Sequence, residues 1–163
     1  MKLRICNHCV PPKERRFFAE AFPLLTKRLG ISEYQSTVEL HYDDNGGTTN
    51  GSIEPAPTDS VLASIRAGKC PREFDIKLRP QSLDRMLVSF CHEMVHLKQW
   101  VTGELKATAD GNYPKQIYHN VQVTDLDIPY EQRPWEMEAF AKMEPLATWV
   151  AGEMMKQREK ANG

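Results

Sequence analysis

The residues with the clearest chemical potential lie in one stretch, Cys91-His92-Glu93-Met94-Val95-His96, which contains the pattern H-E-x-x-H. On an α-helix, four residues at about 100° each bring His96 to within about 40° of His92 and one turn along, so both imidazoles leave the same face. Two imidazoles placed in this way can bind one zinc ion, and Glu93 beside them can take a proton from a water molecule. Chance ordering of this composition would produce the pattern only about 0.01 times. The pattern therefore predicts a Zn²⁺ site with His92 and His96 as ligands and Glu93 as a catalytic base.

A catalytic zinc site takes three protein ligands and keeps its fourth position open, so a third ligand must come from elsewhere in the chain. The metzincin extension is excluded, because Gln99 and Thr102 stand where that class has Gly and His. The remaining candidates lie downstream and are His119, Glu136 and Glu138.

We predict that Glu136 is the third ligand, on the basis of the faces of the last helix. A helix that begins near Pro134 places Glu136 on the stripe that must pack inward, which also carries Ala139, Phe140 and Met143. Glu138 shares a face with Lys142 and is predicted to be a solvated i,i+4 partner of that lysine. Glu138 and His119 remain the alternative ligands.

A hydrolytic site also needs a hydrogen-bond donor for the oxyanion that forms when water attacks a carbonyl group. The candidates in the segment between the two ligand helices are Tyr113, Tyr118, His119 and Tyr130. We single out Tyr130 and His119, and Tyr130 lies six positions before Glu136, which predicts a place near the metal.

The elements around the pattern can be predicted from hydrophobic periodicity. Phe74, Ile76 and Leu78 alternate with charged residues, which predicts a half-buried strand over Glu73 to Leu78. A helix should follow from an N-cap at Ser82 to about Trp100 and end at Gly103.

The rest of the chain gives weaker signals. Lys13 to Leu29 has helical periodicity, and Thr37 to Tyr42 with Gly51 to Glu54 is predicted to form a hairpin. Val61 to Ala67 is a short helix or a strand. Glu104 to Gln132 is expected to be loop-like, with one strand over Ile117 to Val123.

Composition limits the class of protein. The 163 residues carry 21 Lys+Arg and 22 Asp+Glu, which gives a net charge of −1 and argues against nucleic acid or an anionic membrane as a partner. Hydrophobic residues make up 40% of the chain, enough for a packed core, and residues 1–163 are expected to form a single domain. No apolar run approaches the ~20 residues of a spanning helix, and no secretory signal is recognised, so we expect a cytoplasmic protein.

Four cysteines are too few for a disulfide scaffold and fit free thiols in a reducing compartment. Cys6-Asn7-His8-Cys9 has the C-x-x-C spacing of zinc sites, but a zinc ion needs four ligands and the sequence has no partner C-x-x-C. The sequence therefore favours free thiols near the N-terminus over a second metal site.

His92-Glu93-x-x-His96 followed by Glu136-x-x-Ala139 in a second helix resembles the small zincin-fold zinc metallopeptidases with a Glu third ligand. The nearest likenesses are compact bacterial and phage proteins of the SprT-like and ImmA/IrrE kind. The resemblance covers the active helix, the strand before it and the last helix. Three departures stand out: His96 and Glu136 lie 40 positions apart, Phe140 replaces the Asp of thermolysin-like enzymes, and the Cys-rich ribbon of SprT-like proteins is absent.

This resemblance implies an α+β, zincin-like fold: an N-terminal helix, a small mixed sheet with an edge strand, the H-E-x-x-H helix and a C-terminal ligand helix. It implies a zinc metallopeptidase that hydrolyses peptide or protein substrates. It also implies that the edge strand ahead of the active helix binds the substrate, which would place Phe74, Asp75, Ile76, Lys77 and Leu78 in that role. The alternative is a zinc-binding module of the same fold with little turnover. A protease of DNA-bound proteins is a third reading, for which the chain has no basic tract.

Overall fold

The computed structural model of the chain describes residues 1–43, 50–108, 115–118, 121–123 and 128–163. These residues form four α-helices, a short 3₁₀ helix and seven strands in two sheets. In chain order the elements are β1 (Lys2–Ile5), α1 (Pro12–Arg28), β2 (Thr37–Tyr42), β3 (Gly51–Pro55), α2 (Asp59–Arg66), β4 (Glu73–Leu78), α3 (Leu83–Thr102), β5 (Leu105–Thr108), β6 (Lys115–Tyr118), β7 (Val121–Val123), the 3₁₀ helix (Tyr130–Gln132) and α4 (Pro134–Asn162). The prediction of an α+β fold with a small mixed sheet is confirmed.

The larger sheet has the strand order β1-β2-β4-β3. β1 and β2 are parallel, β2 and β4 are parallel, and β3 runs antiparallel to β4. The prediction that Phe74 to Leu78 forms the edge of the sheet is therefore wrong, because β4 is paired on both sides and the edge next to it is β3. The edge position was implied by the resemblance alone. Alternation within the strand could not test it, because alternation reports which face of a strand is buried and not how many neighbours the strand has.

The predicted hairpin of Thr37 to Tyr42 with Gly51 to Glu54 is also wrong, because β4 lies between β2 and β3. The register aligns Val38 with Phe74 and Leu40 with Ile76, so the apolar residues of β2 and β4 share one face of the sheet. All four side chains are buried. Burial of this shared face favours insertion of β4 over direct pairing of β2 and β3.

α3 packs between this face of the sheet and α4. α1 packs against β1, α3 and α4 and contributes to the same hydrophobic core. Phe18 of α1 meets Phe90 of α3 edge to face, with ring centroids 5.0 Å apart. The predicted helix over Ser82 to Trp100 is confirmed as α3, with Ser82 at the N-cap and Gly103 in the left-handed conformation at φ 76° that ends it. None of the helices in the described part of the chain has the length and apolarity needed to cross a membrane.

Two segments with weak signals in the sequence form defined secondary structure. Val61 to Ala67 belongs to helix α2, whose N-cap Thr58 accepts a hydrogen bond from the backbone N–H of Val61. The loop-like segment contains a second, three-stranded antiparallel sheet, β5-β6-β7. The single strand predicted over Ile117 to Val123 is thus two strands, β6 and β7, on either side of residues outside the described ranges.

Candidate metal centre

His92 and His96 of α3 and Glu136 in the first turn of α4 meet in the buried contact between these two helices. The two Nε2 atoms lie 3.0 Å apart, and Oε2 of Glu136 is 3.1 Å from Nε2 of His92 and 3.2 Å from Nε2 of His96. The three residues are 5–7% exposed. The structure thus brings together the three residues that the sequence predicts as ligands.

The spacing of these donor atoms fits a tetrahedral zinc ion. Ligand atoms about 2.0–2.1 Å from zinc lie about 3.3 Å from one another at tetrahedral angles. The three observed separations fall slightly below that value. Two imidazole nitrogens and one carboxylate oxygen are also ligand types that zinc commonly takes in catalytic sites. The donor set and its geometry therefore fit the metal.

His96 is oriented by Gln99, one turn further along α3. Nδ1 of His96 lies 2.8 Å from Oε1 of Gln99, and the amide group of Gln99 donates in turn to the carbonyl of Trp135 at 3.0 Å and to Oε2 of Glu138 at 2.9 Å. Because an amide oxygen only accepts, Nδ1 of His96 carries the proton and Nε2 keeps its lone pair for the metal. Sequence reasoning missed this residue, although its i+3 spacing from His96 was visible.

Glu138 does not reach the metal ligands. Its carboxylate pairs with Lys142, as predicted, and also with Lys98 and the Gln99 amide. Glu136 lies on the buried face of α4 together with Ala139, as the facing argument expects, but Phe140 of the same predicted inward stripe is 38% exposed. The prediction that Glu138 is solvated is wrong, since its side chain is only 17% exposed and belongs to the network that supports His96.

Glu93 lies beside the ligands with its carboxyl group almost fully buried. Burial, reinforced by the charge of Glu136 and opposed by His96, raises the pKa of Glu93 to about 8. For Glu136, burial works in the same direction, but hydrogen bonds with His92 and His96 outweigh it and lower its pKa to about 2. The two carboxyl groups are thus strongly differentiated: Glu136 is held as an anion, and Glu93 can exchange a proton near neutral pH.

Gly51 of β3 lies directly against Glu93. A Cβ atom at this position would approach Oε1 of Glu93 to 2.9 Å and Cδ2 of Leu78 to 3.1 Å. Only glycine leaves room there for the observed Glu93 side chain. No pattern in the sequence signals this contact, because it depends on the pairing of β3 with β4.

Tyr130 lies next to the centre, as predicted from its position before Glu136. Its hydroxyl group hydrogen-bonds the Glu136 carboxylate, and burial together with that carboxylate raises the pKa of Tyr130. Its ring contacts Phe140 edge to face. The tyrosine therefore stays protonated and able to donate at neutral pH. His119, the other predicted donor and alternative ligand, lies outside the described residues, as does Tyr113.

A cleft of about 650 Å³ opens onto His92 and Glu93. Its other polar lining residues are Asn50, Ser89, Tyr130 and Glu131, and its apolar lining is formed by Val88, Phe140 and Met143. None of Phe74, Asp75, Ile76, Lys77 and Leu78, all within the described ranges, lines it. The sheet edge that reaches the metal centre is β3 and not the predicted β4.

No protein-family model, curated protein or solved structure matches this chain. The candidate centre combines three convergent buried donors, a carboxyl group that can exchange protons and an open cleft.

Proposed function

We propose that the protein is a zinc-dependent metallopeptidase of the zincin type, resembling the SprT-like and ImmA/IrrE kinds. The observation that carries the proposal is the convergence of His92, His96 and Glu136 on one point, with Glu93 beside them at the base of a cleft. A structural zinc site would be closed by a fourth protein ligand and would need neither the cleft nor the additional carboxyl group.

The chain's own residues account for the proton transfers of amide hydrolysis. Zinc held by His92, His96 and Glu136 would act as a Lewis acid and make water acidic enough to ionise near neutral pH. Glu93 accepts the proton from the attacking water and returns it to the nitrogen of the leaving amine as the C–N bond breaks. Tyr130, whose hydroxyl proton bonds Glu136 in this structure, would transfer that hydrogen bond to the carbonyl oxygen as negative charge develops on it.

The substrate we propose is an extended peptide or protein segment lying along β3. β3 pairs with β4 on one side and is the last strand of its sheet among the described residues, and its Gly51 end reaches the cleft. An edge strand offers backbone hydrogen bonds to an added strand. The apolar wall of Val88, Phe140 and Met143 favours an apolar side chain next to the scissile bond.

We further propose a reducing, cytoplasmic location. All four cysteines are free, including Cys91, which is fully buried in α3. Free thiols of this kind persist in compartments that keep cysteine reduced.

The test is Glu93→Gln, which keeps the size of the side chain but removes its ability to accept a proton. We expect the variant to retain zinc and fold while hydrolysis falls by about 10²-fold or more. Wild type and variant at equal zinc occupancy are incubated with a peptide and unfolded-protein library, and new termini are read by mass spectrometry. Glu144→Gln, at an exposed position of α4, is the matched control and should cleave like wild type.

Equal cleavage by wild type and Glu93→Gln would reject the mechanism. If neither cleaves any library member while both bind peptides equally well, the chain is a zinc-binding module and the peptidase proposal fails.

A further inference from the structure

A second group of metal-ligand side chains lies at the opposite edge of the larger sheet. Cys6, Cys9 and His41 each place one donor atom within 4.8 Å of the other two. The C-x-x-C at residues 6–9 appeared to lack a partner in the sequence. In the fold, the missing partner is a histidine of β2, 32 positions away from Cys9.

The pairing of β1 with β2 brings these residues together. Ile5 is in register with Leu40, and the N–H of Cys6 donates to the carbonyl of Leu40 at 2.9 Å, so Cys6 lies next to His41. The chain then turns back, with the N–H of Val10 donating to the carbonyl of Cys6 at 3.2 Å. This turn returns Cys9 to the same point of the sheet.

Each of the two sulfur atoms accepts a hydrogen bond from a backbone N–H group. The N–H of Cys9 donates to Sγ of Cys6 at 3.4 Å, and the N–H of Tyr42 donates to Sγ of Cys9 at 3.4 Å. Arg15 holds the turn through a 2.6 Å hydrogen bond to Oδ1 of Asn7. Such bonds to sulfur favour the thiolate form that metals bind.

The imidazole of His41 also has an acidic neighbour. Its Nε2 lies 3.7 Å from Oε1 of Glu39, and Asp75 of β4 lies close to both residues. Carboxylates next to a ligating histidine orient its ring and raise its basicity. At 3.7 Å the contact with Glu39 is too long for a hydrogen bond, so these carboxylates supply negative charge beside the imidazole.

We propose that Cys6, Cys9 and His41 form a second zinc site, separate from the His92 centre. Two thiolates balance the charge of one divalent ion, and the two cysteine protons are released to solvent on binding. Two soft sulfur ligands with an imidazole are typical of zinc. Cys9 is exposed and the other two are partly exposed, so water can complete the fourth position. The ion would fasten the turn between β1 and α1 to β2.

A disulfide between Cys6 and Cys9 is the competing state of this C-x-x-C. It would need no third donor, whereas a ring nitrogen of His41 lies within 4.8 Å of both sulfur atoms and both thiols are free. The geometry therefore favours the metal over the disulfide.

The experiment uses the full chain, reduced with a phosphine that does not bind metal, and titrated with Co²⁺ and then with Zn²⁺. We expect two metal ions per chain and a thiolate-to-cobalt charge-transfer absorption, which the His92 centre has no sulfur to produce. Cys6→Ser with Cys9→Ser should remove the absorption and one of the two ions. His41→Gln should weaken this second ion by at least about 10-fold.

Two control variants define the site. Cys70→Ser changes a partly buried thiol outside the group, and His8→Gln changes an exposed imidazole within the same turn. Both should keep two ions and the absorption. Loss of the absorption in His8→Gln but not in His41→Gln would overturn the assigned ligand set.

A measurement on the wild type avoids dependence on the folding of variants. Zinc should slow alkylation of Cys6 and Cys9, but not that of Cys70, as followed by peptide mass spectrometry. The proposal is wrong if the reduced wild type shows no charge-transfer absorption, or is alkylated at Cys6 and Cys9 at the same rate with and without zinc. These readouts involve sulfur alone, so they are independent of whether the His92 centre hydrolyses peptides.

Discussion

The Gln99 side chain is fully buried one turn beyond His96, and its Oε1 lies 2.8 Å from Nδ1 of that histidine. The same amide group reaches the backbone of Trp135 and the carboxylate of Glu138, both in α4. One glutamine therefore connects the helix that carries H-E-x-x-H to the helix that carries Glu136. It sets the tautomer of His96 and the spacing of the two helices together.

We predict that Gln99→Met weakens zinc binding by about 10- to 100-fold, because His96 loses the acceptor that orients its ring. The measurement is competition with a chelator of known affinity. Gln157→Met, at an exposed position near the end of α4, should bind zinc like wild type. Unchanged affinity in a folded Gln99→Met protein would show that His96 is oriented without the amide.

Glu136→Gln should reduce zinc affinity by about 100-fold or more, since the amide removes an anionic ligand. Glu138→Gln should have a much smaller effect, because its carboxylate contacts Gln99 and two lysines but no ligand atom. Zinc content after dialysis against a weak chelator compares the two variants. If they exchange behaviours, the assignment of the third ligand is wrong.

Gly51→Ala should lower the rate of hydrolysis by about 10- to 100-fold while zinc remains bound. The added methyl group would approach Oε1 of Glu93 to 2.9 Å and displace the carboxyl group from its position. The matched control is Gly152→Ala in α4, where an added Cβ meets nothing within 4 Å. That control should leave hydrolysis unchanged and stabilise the fold by about 0.5–1 kcal/mol, measured by urea unfolding. Wild-type turnover in Gly51→Ala would contradict the role given to this contact.

Tyr130→Phe should lower kcat by about 10²-fold, more than it lowers zinc affinity, because the hydroxyl group is proposed to stabilise charge that develops during the reaction. Kinetics at saturating zinc measure the effect. Tyr34→Phe is the control, since Tyr34 is a half-buried tyrosine whose ring lies near Arg72. If kcat is unchanged and only zinc affinity falls, Tyr130 supports Glu136 and has no part in catalysis.

Local periodicity was sufficient to predict α3, with both histidines on one face and Glu93 beside them. The same reasoning placed Glu136 on the inner face of α4, because the side chains of a helix are related by a fixed rotation. The alternating strand Glu73–Leu78 was also predicted correctly. These features depend on residues within a few positions of one another.

Only the tertiary structure decided which strand lies at the sheet edge beside His92 and Glu93. It also decided which side chains complete each group of candidate metal ligands. The insertion of β4 between β2 and β3, the approach of Gly51 to Glu93 and the meeting of Cys6 and Cys9 with His41 all depend on strand pairing between distant segments. Strand pairing is selected by burial of the whole sheet face, and alternation within one strand carries no information about its neighbours. The sequence by itself thus determined the chemistry of the H-E-x-x-H helix, and the fold determined what surrounds it.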